Sequence, residues 1–214
     1  QHTQIRSNSY CSIQKITTDA DNNIHVVGDF VGKLDFGNGV TITDTLYNCF
    51  LVKYNSNGVA QWALGSTINT RTPIFSLQTD NANNVYLGFN FDSATAFQGS
   101  LATLSTTINK FDIGIAKFSS SGDFINAIQF GDPLVNEDFL DLGIDSSNNV
   151  YLLGYSTTNL SFGAQQLNGK GQLILKLDSA LKPIKGVKTD LHYLSAGQLL
   201  VNFNAGTIAV NADG

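Results

Sequence analysis

A ten-residue segment, Asp145-Ser-Ser-Asn148-Asn149-Val150-Tyr151-Leu152-Leu153-Gly154, constrains this chain more than any other, because two upstream stretches, Asp19 to Gly28 and Asp80 to Gly88, are versions of it. Each reads as the end of one strand, a polar turn, and a second strand of β-branched and aromatic residues. Asp19, Asp80 and Asp145 lie 61 and 65 residues apart, and Phe36, Phe97 and Phe162 each follow their aspartate by 17. The pairs Asn22 and Asn23, Asn83 and Asn84, Asn148 and Asn149 keep the same phase. The chain is therefore built of repeats.

A second landmark closes each unit: Leu51-Val52-Lys53-Tyr54, Ile115-Ala116-Lys117-Phe118 and Ile174-Leu175-Lys176-Leu177. The spacing from phenylalanine to lysine is 17, 20 and 14 residues, so this segment tolerates insertion as a surface loop does. Four short strands per unit follow, with the first unit as the pattern: A over Ser12 to Thr18, B over Ile24 to Phe30, C over Phe50 to Tyr54 and D over Ala60 to Gly65. Short turns rich in Asn, Asp, Ser and Gly join A to B and C to D, which suits antiparallel hairpins. The repeats divide the one domain, 1–214, into units of about 12–73, 74–137 and 138–190 and a partial unit over 191–214.

Runs such as Ile24-His25-Val26-Val27, Val150-Tyr151-Leu152-Leu153 and Ile174-Leu175 are nearly continuously apolar, which predicts sheets covered on both faces. No stretch between them has the period or capping signals of a helix, so the sheets must cover one another. The expected fold is all-β: a β-propeller of four-stranded antiparallel blades, about three full blades plus parts of a fourth. By the phase of the repeat, Gln1 to Ser7 falls on strand D of a preceding unit, Leu199 to Phe203 on a fourth strand A and Thr207 to Val210 on its strand B. A fragment of a larger ring is favoured over a small ring whose last blade combines both termini, because no strand C is present for the fourth blade.

Charged residues are only 14% of the chain, the net charge is −5, and no basic run is present, which excludes a nucleic-acid partner. No apolar stretch approaches the ~18 residues that cross a bilayer, so a soluble chain without membrane insertion is expected. The chain has no Met and no signal-peptide pattern, and Gln1 suggests a processed or excised start. Cys11 opens strand A and Cys49 opens strand C, so one strand separates them, about 9–10 Å. That exceeds disulfide reach, and two buried, inert thiols are expected.

The order Asp-x-x-Asn-Asn-Val-Tyr-Leu-Leu-Gly, a Phe-Gly pair (Phe36-Gly37, Phe162-Gly163) and Lys53-Tyr-Asn-x-x-Gly58 leading to Trp62 resembles the SBBP type of bacterial β-propeller repeat, over nearly the whole chain. The departures are Gly88, one residue early, Trp62, which has no counterpart in the other units, and Leu181, which replaces the turn glycine of the third. The resemblance implies a secreted or cell-surface bacterial protein, a module of a longer chain, with interaction or adhesion roles.

The residues carry little chemistry. Asp19-Ala-Asp21-Asn22-Asn23 imitates the opening of a calcium loop, but Ile24 stands where that loop needs Gly and Phe30 where it needs Glu. Turn aspartates that accept backbone N–H groups are the simpler reading. Among the histidines, His2, His25 and His192, no two share metal-ligand spacing, and His25 takes the place of Tyr86 and Tyr151 as a strand residue with a polar tip. Glu137, Asp138 and Asp141 are acids that general acid–base work could use, though a solvated loop explains them. No catalytic, cofactor-binding or metal residue is assigned. The expected function is a non-catalytic module whose B to C loops, Gly37 to Asn48, Gln98 to Phe111 and Gly163 to Gly171, form a rim for a protein or glycan partner. The alternatives are a propeller-fold glycan-active hydrolase or lyase, and a spacer in a large surface protein.

Overall fold

The computed structural model describes residues 4–66, 75–98, 103–107, 110–132 and 134–190. These are all-β and antiparallel. The first sheet comprises β2 (Tyr10–Thr18), β3 (Ile24–Asp35), β4 (Thr41–Tyr54) and β5 (Ala60–Ser66), in that order, with the short β1 (Arg6–Ser7) beside the far end of β3. The second comprises β6 (Phe75–Thr79), β7 (Val85–Phe91), β10 (Asp112–Phe118) and β11 (Phe124–Phe130). The third comprises β12 (Glu137–Ile144), β13 (Val150–Ser156), β16 (Gly171–Leu177) and β17 (Pro183–Asp190). Two hairpins, β8 (Thr95–Ala96) with β9 (Thr103–Leu104) and β14 (Leu160–Phe162) with β15 (Gln165–Leu167), lie in the B to C connections of the second and third units.

Two aspects of the turn chemistry explain the register. Asp19, Asp80 and Asp145 each use Oδ1 to accept the N–H groups two and four residues on, at 2.8–3.1 Å. The first asparagine of each pair takes the left-handed conformation, with φ of 60°, 61° and 62° at Asn22, Asn83 and Asn148, a region that Asn tolerates better than other side-chain-bearing residues. The C to D turns repeat this design with Asn55, Ser119 and Asp178 as acceptors. Leu181, in place of the turn glycine, is itself left-handed at φ 63°.

The sheets pack face to face. Val27 and Leu51 of the first sheet share a core with Leu77, Leu87 and Phe118 of the second, and Tyr86 and Ile115 of the second share one with Leu142, Leu152 and Leu175 of the third. Gly88 permits the closest approach, since a Cβ there would lie 2.4 Å from Phe139 Cζ.

Several expectations are corrected. The first B to C segment is a long hairpin, because β3 and β4 continue their pairing to Asp35 and Thr41 around a turn at 36–40. Residues 4–7 hold β1, which pairs with β3 and forms no strand D; the proposed fourth strands, Leu199 to Phe203 and Thr207 to Val210, lie outside the described residues, as do His2 and His192. Glu137 belongs to the third sheet. The expectation of two covered faces fails on the third sheet, where β16 alternates buried and open positions and Ile174 is exposed, because no described sheet lies beyond it. Cys11 and Cys49 are free thiols with β3 between them; Cys49 is buried, but Cys11 is only half-buried.

Candidate functional site

The repeated motif builds one constellation three times. Where the sheets turn from strand A to strand B, Oδ2 of the turn aspartate faces inward and meets the strand-B residue six positions on: His25 Nε2 at 3.2 Å from Asp19, Tyr86 Oη at 3.0 Å from Asp80 and Tyr151 Oη at 3.1 Å from Asp145. The strand-C lysine completes it, with Lys53, Lys117 and Lys176 Nζ at 3.2, 3.7 and 3.7 Å from the same oxygens. Burial alone would push Asp19 up, but the Asn23 side chain and backbone N–H, with His25 and Lys53, hold it well below the usual carboxylate range. Burial lowers His25, and Lys53 adds to this against the pull of Asp19. The ring is therefore neutral, with the proton assigned to Nε2 facing Asp19.

This arrangement accounts for Asp19 without calcium. Its Oδ1 is taken by backbone N–H groups and its Oδ2 by Asn23, His25 and Lys53, so the Lys53 ammonium supplies the positive charge. Asp21 is turned to the next unit, accepting Asn83 Nδ2 at 2.6 Å. Among the described residues no group of three His, Cys, Asp or Glu could hold a metal ion. The two inner lysines also tie sheets together, Lys53 donating to the Ser120 carbonyl at 3.1 Å and Lys117 to that of Ser179 at 2.8 Å.

The acidic cluster before Asp145 is not a solvated loop throughout. Glu137 is fully buried and accepts the Asp132 N–H at 3.2 Å and the Ser156 hydroxyl at 3.3 Å. Burial, aided by the nearby charge of Asp112, pushes its carboxyl up to about 7. Asn90 stitches the same place, donating to the carbonyls of Asp112 and Glu137 and accepting the Phe139 N–H. Asp141 takes the Ser76 hydroxyl at 2.6 Å across the sheets, whereas Asp138 is exposed. The three acids thus diverge: burial raises both Glu137 and Asp138, and Glu137 has no open face toward a substrate. Sequence reasoning named Glu137 but took it for part of a solvated loop, because its burial arises from two sheets meeting.

An open site does exist at the outer edge, where the first unit's long hairpin faces the second unit's β8. A cleft of about 460 Å³ lies between Thr41, Thr43 and Asp44 on one side and Ala96 and Gln98 on the other, over Phe30, Ser66 and Phe97. Its base is fixed by the Gln98 N–H donating to the Gly65 carbonyl at 3.2 Å and by a bridge pairing Ser66 with Phe97. Phe97 is held in turn by Phe89, Phe118 and Phe124, with ring centroids 5.2–6.3 Å apart. Asp44 is the one acid among the described lining residues, and its Oδ1 accepts the Leu46 N–H. The cleft thus joins two of the B to C segments. Trp62 is elsewhere, against Gly122 of the second sheet.

No protein-family model matches this chain, and no curated protein does.

Proposed function

We propose that the three sheets are blades of a β-propeller of the SBBP type, and that the chain is a non-catalytic, secreted or cell-surface module that binds a glycan or protein partner through its outer hairpins. In support of the ring, β6 packs between β2 and β12, so the first strands of the three units lie side by side as strands around a common axis would. Binding rests on one observation: the cleft between Thr41–Asp44 and Ala96–Gln98 combines hydroxyl, amide and carboxylate groups with an aromatic floor, the composition that recognises a neutral, hydroxyl-rich ligand. A hydrolase needs a second carboxylate roughly 5–9.5 Å from the first, and Asp44 has no acidic partner among the described lining residues. No helix among the described residues is long and apolar enough to cross a membrane.

Glycan-array binding followed by calorimetry on the best hit tests this. Binding of a neutral oligosaccharide, weakened at least tenfold in Thr43→Ala and Gln98→Ala, is the expected result. No signal above background, or one unaltered in both variants, overturns the assignment to this cleft.

A further inference from the structure

The interface between the first and second sheets recurs between the second and third. On the outgoing side, the strand-C lysine donates to the carbonyl of the second residue in the next unit's C to D turn. The residue two before that lysine is covered by the next sheet, Leu51 being 3% and Ile115 0% exposed. On the incoming side, a strand-A leucine is covered by the preceding sheet, Leu77 at 4% and Leu142 at 0% exposure. The left-handed asparagine beside it, Asn83 or Asn148, accepts a turn N–H of the preceding unit, from Ala20 or Asn81, at 3.0 Å.

Each end of the row carries half of this interface. Beyond the third sheet, Ile174 is 42% and Val187 45% exposed, and Lys176 meets Asp145 and Tyr151 of its own sheet. Before the first sheet, Ile16, at the register position of Leu77 and Leu142, is 66% exposed. Ser56 stands exposed at the turn position of Ser120 and Ser179, and Asn22 holds the same left-handed conformation as Asn83 and Asn148.

From this continuity we infer that the third sheet of one copy docks on the first sheet of a second copy, head to tail. Lys176 then donates to the Ser56 carbonyl of the second copy, and Ile174 and Val187 are covered by its sheet. An unrelated protein would have to offer a turn carbonyl, a left-handed asparagine and an apolar strand in one rigid register, and the first sheet of this chain carries all three. Such a contact joins unlike surfaces, so it closes a ring or adds copies in a row. It is remote from the outer cleft and independent of any glycan binding.

Sedimentation velocity of the whole chain over roughly two decades of concentration around the micromolar range tests it. The expected result is an average mass that rises with concentration, with association at least tenfold weaker in Ile174→Asp and in Ile16→Asp. Both positions are exposed, so each variant keeps its circular dichroism spectrum and melting temperature. Mixed together, the two variants form a pair that does not extend, because each retains one intact end. A monomer at every concentration, association equal to wild type in both variants, or a mixture that fails to pair would overturn the proposal.

Discussion

His25 on β3 and Trp62 on β5 meet over the β4 strand that separates them, at the level of Lys53, with ring centroids 5.9 Å apart, and the Trp62 indole N–H donates to the Ser120 carbonyl of the second sheet at 3.2 Å. In the second unit the larger Tyr86 stands at the place of His25, the smaller Asn126 at that of Trp62, and the tyrosine hydroxyl itself reaches the equivalent Ser179 carbonyl at 3.2 Å. The two positions share one volume.

That sharing predicts non-additive substitutions. His25→Tyr overfills the space beside Trp62 and costs about 1–3 kcal/mol, while the double variant with Trp62→Asn reproduces the second unit's pairing. Urea melts of the four proteins of the cycle measure this, and the double variant is expected to be more stable than the sum of the single changes. Additivity within 0.5 kcal/mol would show that the positions do not share space.

Gly88 sets the spacing between the second and third sheets. A methyl group there would meet Phe139 Cζ at 2.4 Å and Leu142 Cδ1 at 2.9 Å, so Gly88→Ala is expected to destabilise by about 1–3 kcal/mol. Phe139→Leu in the same chain should recover part of that loss, read as a rise in Tm over Gly88→Ala alone.

Lys117 and Lys176 occupy equivalent places, yet only Lys117 is closed in by a following sheet. Removing it leaves buried Asp80 without its cation and takes one of two donors, the other being Tyr86 Oη, from the Ser179 carbonyl, so Lys117→Met is expected to cost roughly 3 kcal/mol or more. Lys176 is 32% exposed along its side chain, and Lys176→Met is expected to cost clearly less than Lys117→Met in dilute, monomeric protein. Equal losses in denaturant melts would contradict the role given to the neighbouring sheet.

Glu137 makes stability depend on pH in a defined direction. Its folded carboxyl, at about 7, lies above the ordinary value of 4.5, so between those limits the folded chain holds a proton that the unfolded chain has released. Stability from this group therefore falls as pH rises from about 4.5 to about 7 and is level above that. Asp19 and Asp145, held low, act in the other window, their contribution being lost as pH falls below the ordinary carboxylate range. The difference between wild type and Glu137→Gln isolates the first effect, expected to be on the order of 2 kcal/mol between pH 5 and pH 8. A flat difference curve would place Glu137 in water.

The strands and turns were legible because their signals are local. Asp145 and Asn149 close their turn within five residues, and the left-handed Asn148 needs no distant partner. The long first hairpin was not legible, because Thr41 to Asn48 mixes polar and apolar residues and is held as a strand by β3 beside it. Nor was the cleft, since Thr43 and Gln98 belong to different units and meet only where the first hairpin faces β8.

The sequence by itself determined the all-β class, the four repeated strands of each of the three sheets and their turn register, since phase, alternation and Asn or Asp turn chemistry act over a few residues. Only the tertiary structure decided which copies of the motif carry more than register. Among the described residues Lys53 and Lys117 bridge to a following sheet whereas Lys176 meets groups of its own sheet, and Glu137 is fully buried whereas Asp138 keeps an exposed face. The physical reason is that desolvation and cross-sheet hydrogen bonds depend on what lies on the other side of a residue, and identical motifs are silent about their neighbours.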